Sequence, residues 1–324
     1  MTSHRNRQEP SSGSDRRGNR WKAVAFVIEN VFSLSLKYNS AMFHERIYYP
    51  GKDKVYLECF VLDSGLRLGQ DVSRPAVVIC PGGGYVYLSP REAEPVAAAY
   101  LAKGIHAFVL NYSLGWDAVG FEPLKELEWA INLIRERSGE WNVAPGKIFA
   151  AGFSAGGHLA LSCGLLGRVR PDGLILGYPA VSLEGPGTKA LGQLLLGKEM
   201  RPEVMDLTRA VTKDAPPLFL FTTAEDTLTC RASIDLVKAY SDLGLACEFH
   251  LFQKGLHGYS LADSAAADGS SQVLNKAVAE WFGLSVEWLF SVSGPLEFKD
   301  YSTSRMGDEL RKLGLSLGET PGNA

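Results

Sequence analysis

Apolar residues along this chain fall into two alternating patterns. Runs of strand length that are apolar almost throughout lie at Val55 to Leu62, Ala76 to Cys80, Ala107 to Asn111, Ile148 to Ala151, Leu174 to Gly177, Leu218 to Thr222 and Cys247 to Leu251. Longer stretches with helical spacing separate them, near Arg91 to Lys103, Pro123 to Ser138, Ala155 to Leu166, Arg231 to Leu243 and Gln272 to Phe290. A strand apolar on both faces must be covered on both, and helical crossovers return the chain in the same direction. The pattern therefore predicts an α/β fold with a mostly parallel central sheet and helices on both faces.

Turn and cap residues agree with the alternation. Ser89-Pro90-Arg91-Glu92 has a serine at the N-cap, a proline at the first helical position and a glutamate three residues after the cap, while Gly104 closes that helix. Pro95, further inside, predicts an irregular first turn. Residues 185–212 interrupt the rhythm where one crossover belongs, with a leucine cluster from Leu191 to Leu196 among charges, and read as a small lid insertion. The whole is expected to divide into a disordered basic tail (1–20), a main α/β domain (21–290) and a C-terminal extension (291–324). Within the domain, Val24, Val27, Ile28, Val31, Phe32 and Leu36 predict an amphipathic helix over Trp21 to Leu36.

Composition narrows the partners. With 324 residues, 46% of them hydrophobic, the chain can bury a large core, and its formal net charge of −3 gives no reason to expect nucleic acid. No run reaches the roughly 18 apolar residues of a membrane span. A neutral small molecule is the partner that fits, with homodimerisation left open. The five cysteines, an odd number without paired CxxC spacing, read as free thiols packed as small hydrophobes, which points to a reducing, cytoplasmic setting.

Candidate chemistry starts at Gly152-Phe153-Ser154-Ala155-Gly156-Gly157, a G-x-S-x-G sequence between a strand and a helix. That junction sets a serine on a sharp, strained turn, where glycines two residues either side avoid a clash. Upstream, Cys80-Pro81-Gly82-Gly83-Gly84-Tyr85 follows a buried strand, and its glycines can turn backbone N–H groups toward one point. Together with the Ala155 N–H at the start of the next helix they would form an oxyanion hole.

A base must reach Ser154, and six histidines are available. His4 lies in the tail, His44 precedes the sheet, and His106 and His250 sit at or in strands as packing residues. His158, four residues past the serine on its own helix, cannot readily face the serine oxygen. His257 remains, on a glycine-flanked loop after the last strand. For the acid that orients it, Asp226 follows the Leu218 strand and completes the order serine, aspartate, histidine; Glu225 is adjacent and could serve, whereas Asp263 breaks the order.

These segments resemble one family. Pro-Gly-Gly-Gly-Tyr at 81–85, Ala-Phe-Val-Leu-Asn-Tyr at 107–112, Gly-Phe-Ser-Ala-Gly-Gly-His at 152–158, Thr-Ala-Glu-Asp at 223–226 and Gly-Leu-His-Gly-Tyr at 255–259 are similar to the bacterial acetyl esterase and acetylxylan-esterase-like branch of the α/β hydrolases. The likeness spans about Val55 to Phe290. It implies hydrolysis of short-acyl esters, of sugars among others, with Ser154, Asp226 and His257 as the triad and the Gly83, Gly84 and Ala155 amides as the oxyanion hole. Thr229-Cys230 departs from the Val-Pro often found after the acid, and Pro81 from the histidine of lipase-type loops. No metal or organic cofactor is required for such chemistry. A serine peptidase, an arylformamidase or a feruloyl-type esterase would use the same residues, because fold and triad do not fix the scissile bond. A non-catalytic binding protein of this fold would have no need to keep all of these groups.

Overall fold

The structure, a computed structural model, describes residues 42–62, 72–185, 188–197 and 201–296. The tail, the Trp21 to Leu36 segment and the extension beyond residue 296 lie outside the described residues.

The seven apolar runs form strands: β2 (Tyr56–Leu62), β3 (Arg74–Cys80), β4 (His106–Asn111), β5 (Val143–Phe153), β6 (Gly173–Gly177), β7 (Leu218–Thr223) and β8 (Cys247–Phe252). An eighth, β1 (Met42–Tyr48), precedes them, and the sheet order is β1-β2-β4-β3-β5-β6-β7-β8. From β4 to β8 all neighbours are parallel, but β2 runs antiparallel to β4, and β1 antiparallel to β2. The hairpin turns between Tyr49 and Val55, where Gly51 takes φ +79°. His44, placed before the sheet by the sequence reading, is in β1 and pairs with Glu58 at 2.6 Å.

Helices α1 (Glu94–Leu101) and α8 (Lys276–Ser293) cover one face. Their Val96, Tyr100, Val278, Trp281 and Leu289 pack with Val77, Ile79, Phe149 and Phe221. Helices α2 (Glu122–Glu136), α4 (Ala155–Leu166) and α7 (Cys230–Asp242) cover the other, with a short α3 (Ser138–Trp141) between α2 and β5. Here Leu127, Ile131, Leu159 and Cys163 meet Ala76, Val78 and Cys80, and Leu161 and Leu165 of α4 meet Leu236 and Tyr240 of α7. Alternate residues of β3 thus feed opposite cores, as a strand buried on both faces requires. Helix α4 is buried on nearly its whole circumference because β3, β5, β6, α2 and the 3₁₀ turn Leu207–Ala210 surround it.

The first helical stretch departs from the capped helix expected at Ser89. Pro90–Glu92 is a short 3₁₀ turn, the backbone breaks at Ala93, and α1 starts with Pro95 in its first turn. Ser89 makes no side-chain capping bond. Glu92 turns inward instead. Between β6 and β7, the insertion carries α5 (Lys189–Leu196) and α6 (Pro202–Met205). The Leu195 carbonyl accepts from the Gly120 and Phe121 N–H groups at 2.8 and 3.1 Å, and Leu195, Leu196, Val204 and Met205 are buried against the α2 and α4 side of the core.

Candidate active site

Four loops meet at the carboxyl ends of the strands, on either side of the point where the chain order reverses between β3 and β5. In an open α/β sheet this is where a crevice forms. Register sets Cys80 at the end of β3 beside Gly152 near the end of β5, so the glycine loop and the serine turn leave the sheet as neighbours.

Ser154 stands between β5 and α4 with φ 52° and ψ −117°, a backbone conformation that is costly for a residue with a Cβ. Close packing holds it there. A Cβ on Gly152 would lie 2.2 Å from the Gly156 carbonyl oxygen, and one on Gly156 would lie 2.0 Å from the Cys80 carbonyl oxygen. Both obstacles are backbone, so only glycine fits at either position. The Ser154 carbonyl accepts from the Ala180 and His158 N–H groups, which completes the turn.

The structure brings Ser154, His257 and Asp226 into one chain of hydrogen bonds. His257 Nε2 lies 2.7 Å from Ser154 Oγ, and Nδ1 lies 2.8 Å from Asp226 Oδ2. Asp226 is 3% exposed and its Oδ1 accepts from the Leu228 N–H at 3.0 Å. Thr229 Oγ1 donates to Oδ2 at 2.6 Å. Burial is the largest single influence on this carboxyl and pushes its pKa up, but the hydrogen bonds from His257, Thr229 and the Leu228 N–H, with the charge of His257, together outweigh it and hold it below the usual range. An ionised carboxylate only accepts, so Nδ1 carries the proton and Nε2 turns its lone pair to the Ser154 hydroxyl. Glu225, the neighbouring alternative, faces elsewhere: its Oε2 accepts from the Gly255 N–H at 3.0 Å, at the start of the His257 loop.

In the glycine loop, Gly83 and Gly84 take φ +123° and +65°. Among the described residues no acceptor is bonded to the N–H of Gly83, Gly84 or Ala155, whereas Gly82 N–H is taken by Glu92 Oε2 at 2.7 Å. Gly83, Gly84 and Ala155 are the residues for which the family resemblance implies an oxyanion hole. Tyr85, itself at φ 57°, is anchored beneath the loop by its hydroxyl, 2.9 Å from His158 Nδ1. His158 Nε2 lies 2.9 Å from the Val204 carbonyl oxygen in α6. A carbonyl can only accept, so Nε2 bears the proton and Nδ1 accepts from Tyr85. Burial pushes the pKa of His158 down to about 4, which keeps it neutral in that role.

Sequence reasoning missed several supporting groups. Thr229 holds Asp226; Tyr178, at the end of β6, sets its ring 5.1 Å from that of His257; Glu92 lies beneath the glycine loop. Only Glu92 had a visible signal, a charged residue inside the turn that follows the glycines, and it read as a helix cap. Among the described residues no cluster of acidic, histidine or cysteine side chains could hold a metal ion, and no helix is long and apolar enough to cross a membrane.

Known proteins resemble this chain in sequence and in fold. A family model described as BD-FAE matches residues 62–175. An α/β-hydrolase enzyme from a Medee basin deep-sea metagenome library is 36% identical, with a TM-score of 0.69 over 78% of this chain and 98% of that one. A carboxylesterase of Lactobacillus plantarum is 29% identical, with a TM-score of 0.72 over 80% of this chain and 100% of its own. An acetylxylan esterase of Xylanibacter ruminicola is 29% identical over 218 residues, which cover 64% of this chain and 44% of that protein. The chain spans less than half the length of the curated relatives it matches. Taken together, these likenesses support a carboxylic ester hydrolase.

Proposed function

This chain belongs to the α/β-hydrolase family, and from that premise we propose that it is a serine carboxylic ester hydrolase acting on short-acyl, acetyl-type esters, those of sugars included. The observation that carries this reading is the hydrogen-bonded run from Ser154 through His257 to Asp226, set beside three unpaired amides.

In the proposed mechanism Ser154 Oγ attacks the ester carbonyl carbon as His257 Nε2 takes its proton. Asp226 steadies the imidazolium through Nδ1–H. The oxygen that gains charge is met by the Gly83, Gly84 and Ala155 N–H groups, the last at the positive end of α4; one such donor is worth roughly 10²- to 10³-fold in rate. The tetrahedral species collapses as the imidazolium protonates the leaving alcohol, and an acyl group stays on Ser154. Water, deprotonated by His257, then attacks the acyl carbon; as the bond to Ser154 Oγ breaks, the imidazolium returns its proton to that oxygen and the acid is released.

Sugar-ester specificity is supported by the acetylxylan esterase relative. A cytoplasmic setting suits five cysteines that are all unbridged. The test is labelling by a fluorophosphonate probe followed by a panel of acetylated sugars, feruloyl esters, N-formyl aromatic amines and short peptides. Expected are one adduct on Ser154 and fastest turnover of the acetylated sugars. Preference for the formamides or peptides would replace the ester reading with that of an arylformamidase or a peptidase.

A further inference from the structure

Glu92 is only 2% exposed, yet it makes no ion pair among the described residues. Both of its oxygens face hydrogen-bond donors. Oε2 accepts from the Gly82 N–H at 2.7 Å, and Oε1 accepts from the Tyr178 hydroxyl at 2.7 Å. That hydroxyl in turn accepts from the Ser260 N–H at 2.7 Å, so its own proton is directed at Glu92. A buried polar group normally has partners; what is unusual here is that its two partners, and the Ser260 N–H bound to one of them, come from three loops of the site. Gly82 opens the glycine loop, Tyr178 is the wall against the His257 ring, and Ser260 ends the His257 loop.

We propose that Glu92 is a positioning residue for the ester hydrolysis, a buried carboxylate that fixes the peptide preceding the oxyanion amides and, through Tyr178, the imidazole of His257. The proposal rests on the functional reading above.

Three observations carry it. By occupying the Gly82 N–H, Glu92 sets the orientation of the peptide from which Gly83 and Gly84 continue, so the two unpaired amides are presented by a loop with one end pinned. Gly82 itself is wedged between the carboxylate and the serine turn: a Cβ on it would lie 2.7 Å from Glu92 Oε2, 2.8 Å from the Phe153 carbonyl oxygen and 3.0 Å from Ser154 Cβ. The residue that Glu92 pins is therefore the one packed against the serine turn, and it has no room for a side chain. Tyr178, finally, is fixed at its hydroxyl by Glu92 and Ser260 while its ring packs at 70° to the imidazole. A ring fixed at its hydroxyl as well as at its Cβ resists tilting, and its edge contact supports the imidazole that bridges Asp226 and Ser154.

The hydrogen bonds and the burial of the carboxylate act on its charge in opposite senses. Burial, the largest influence, leaves its pKa raised above the usual carboxylate range, and the Tyr178 and Gly82 hydrogen bonds and the nearby His257 and Arg91 oppose that shift without cancelling it. Both partners donate, an arrangement that suits an ionised carboxylate. The amide of glutamine has a single acceptor atom, so in Glu92→Gln its NH₂ must face either Gly82 N–H or the Tyr178 hydroxyl.

The experiment measures kcat, KM and Tm with p-nitrophenyl acetate for the wild type, Glu92→Gln and Tyr178→Phe, with active sites counted by fluorophosphonate titration. Glu92→Gln is expected to lose roughly 10- to 100-fold in kcat per titrated site with KM within about threefold, since misaligned oxyanion donors weaken the transition state rather than ground-state binding. Tyr178→Phe, which keeps the carboxylate and removes one contact, is expected to lose less, again in kcat. The proposal is overturned if kcat per titrated site stays within about threefold of wild type in Glu92→Gln, or if the damage falls on Tm alone. Should Glu92→Gln fail to fold, the same kcat and KM split in Tyr178→Phe decides. A wild type that neither turns over esters nor labels at Ser154 would sink the functional reading and this one with it. An active wild type with an unchanged Glu92→Gln would sink only this one.

Discussion

Glu225 Oε2 accepts a hydrogen bond from the Gly255 N–H at 3.0 Å, while the adjacent Asp226 turns the other way and meets the His257 ring. Two neighbouring carboxylates thus grip the same loop at two places, one at its start and one at its imidazole. Asp226→Asn is expected to leave a folded protein with a misoriented ring and kcat lowered by roughly 10³- to 10⁴-fold. Glu225→Gln keeps an acceptor for Gly255 and should cost far less. Steady-state kinetics of the two variants check this, and the opposite ranking would assign the wrong carboxylate.

The serine turn is expected to be intolerant of a single methyl group. Gly156→Ala places a Cβ 2.0 Å from the Cys80 carbonyl oxygen, and neither backbone can yield without dismantling the β3–β5 pair. Overpacking of that kind costs about 3 kcal/mol or more. Gly139→Ala in α3, where nothing lies within 4 Å of the added atom, should leave Tm unchanged or slightly raised. Thermal unfolding of both variants makes the comparison, and a Gly156→Ala protein as stable as the wild type would contradict the packing described for the turn.

His158 ties stability to pH. Burial lowers its pKa from 6.5 to about 4. The unfolded chain therefore takes up a proton near pH 6.5 that the folded chain refuses until near pH 4. Stability is fully present above the upper value and falls as pH drops through this window, by about 3 kcal/mol in total. His106, lowered to about 4 chiefly by burial, adds a second proton over the same range, while Glu92, with its raised pKa, works in the opposite direction. His158→Gln can still donate to Val204 and accept from Tyr85. Its unfolding free energy in urea is expected to be flatter than that of the wild type between pH 6.5 and 4, and equal slopes would contradict a neutral buried His158.

Acyl length is expected to be read at Leu191. A Cβ on Gly84 would lie 3.8 Å from both Cδ atoms of Leu191, so this α5 side chain overlooks one of the proposed oxyanion residues. Most of the remaining leucines of the insertion face inward, with Leu195 and Leu196 buried in the core, which leaves little apolar wall for a long chain. Each methylene buried is worth about 0.8 kcal/mol, and an enzyme without that wall gains nothing from it. For p-nitrophenyl acetate, butyrate, octanoate and laurate, kcat/KM should peak at acetate or butyrate, and Leu191→Ala should move the peak to longer chains. A wild-type maximum at octanoate or beyond would overturn the short-acyl reading.

The sheet was legible where burial left a mark on composition. β3 to β7 are apolar on both faces and announce themselves, whereas β1 is an edge strand, exposed along most of its length, in which His44 and Arg46 pair with Glu58; no apolar run betrays it. The antiparallel direction of β2 was hidden for a related reason, since a run of apolar residues reports burial and not polarity. At the site, Ser154 and the glycine loop are local patterns, and His257 and Asp226 follow from loop position and chain order. Glu92, Tyr178 and Thr229 are not legible in that way. Glu92 and Tyr178 lie 86 residues apart in sequence and meet only in the folded molecule, and Ser89-Pro90-Arg91-Glu92 has the form of a capping box that the break at Ala93 and Pro95 diverts to another use.

Ser154→Ala tests the central claim most directly. The change removes one oxygen from a side chain whose backbone is held by the Gly152, Gly156 and Ala180 contacts, so the fold should survive, as circular dichroism and Tm would show. Hydrolysis of p-nitrophenyl acetate is expected to fall by roughly 10⁴- to 10⁶-fold in kcat. Turnover by folded Ser154→Ala protein within about tenfold of wild type, no more than about 1.4 kcal/mol of barrier, would mean that the nucleophile is elsewhere.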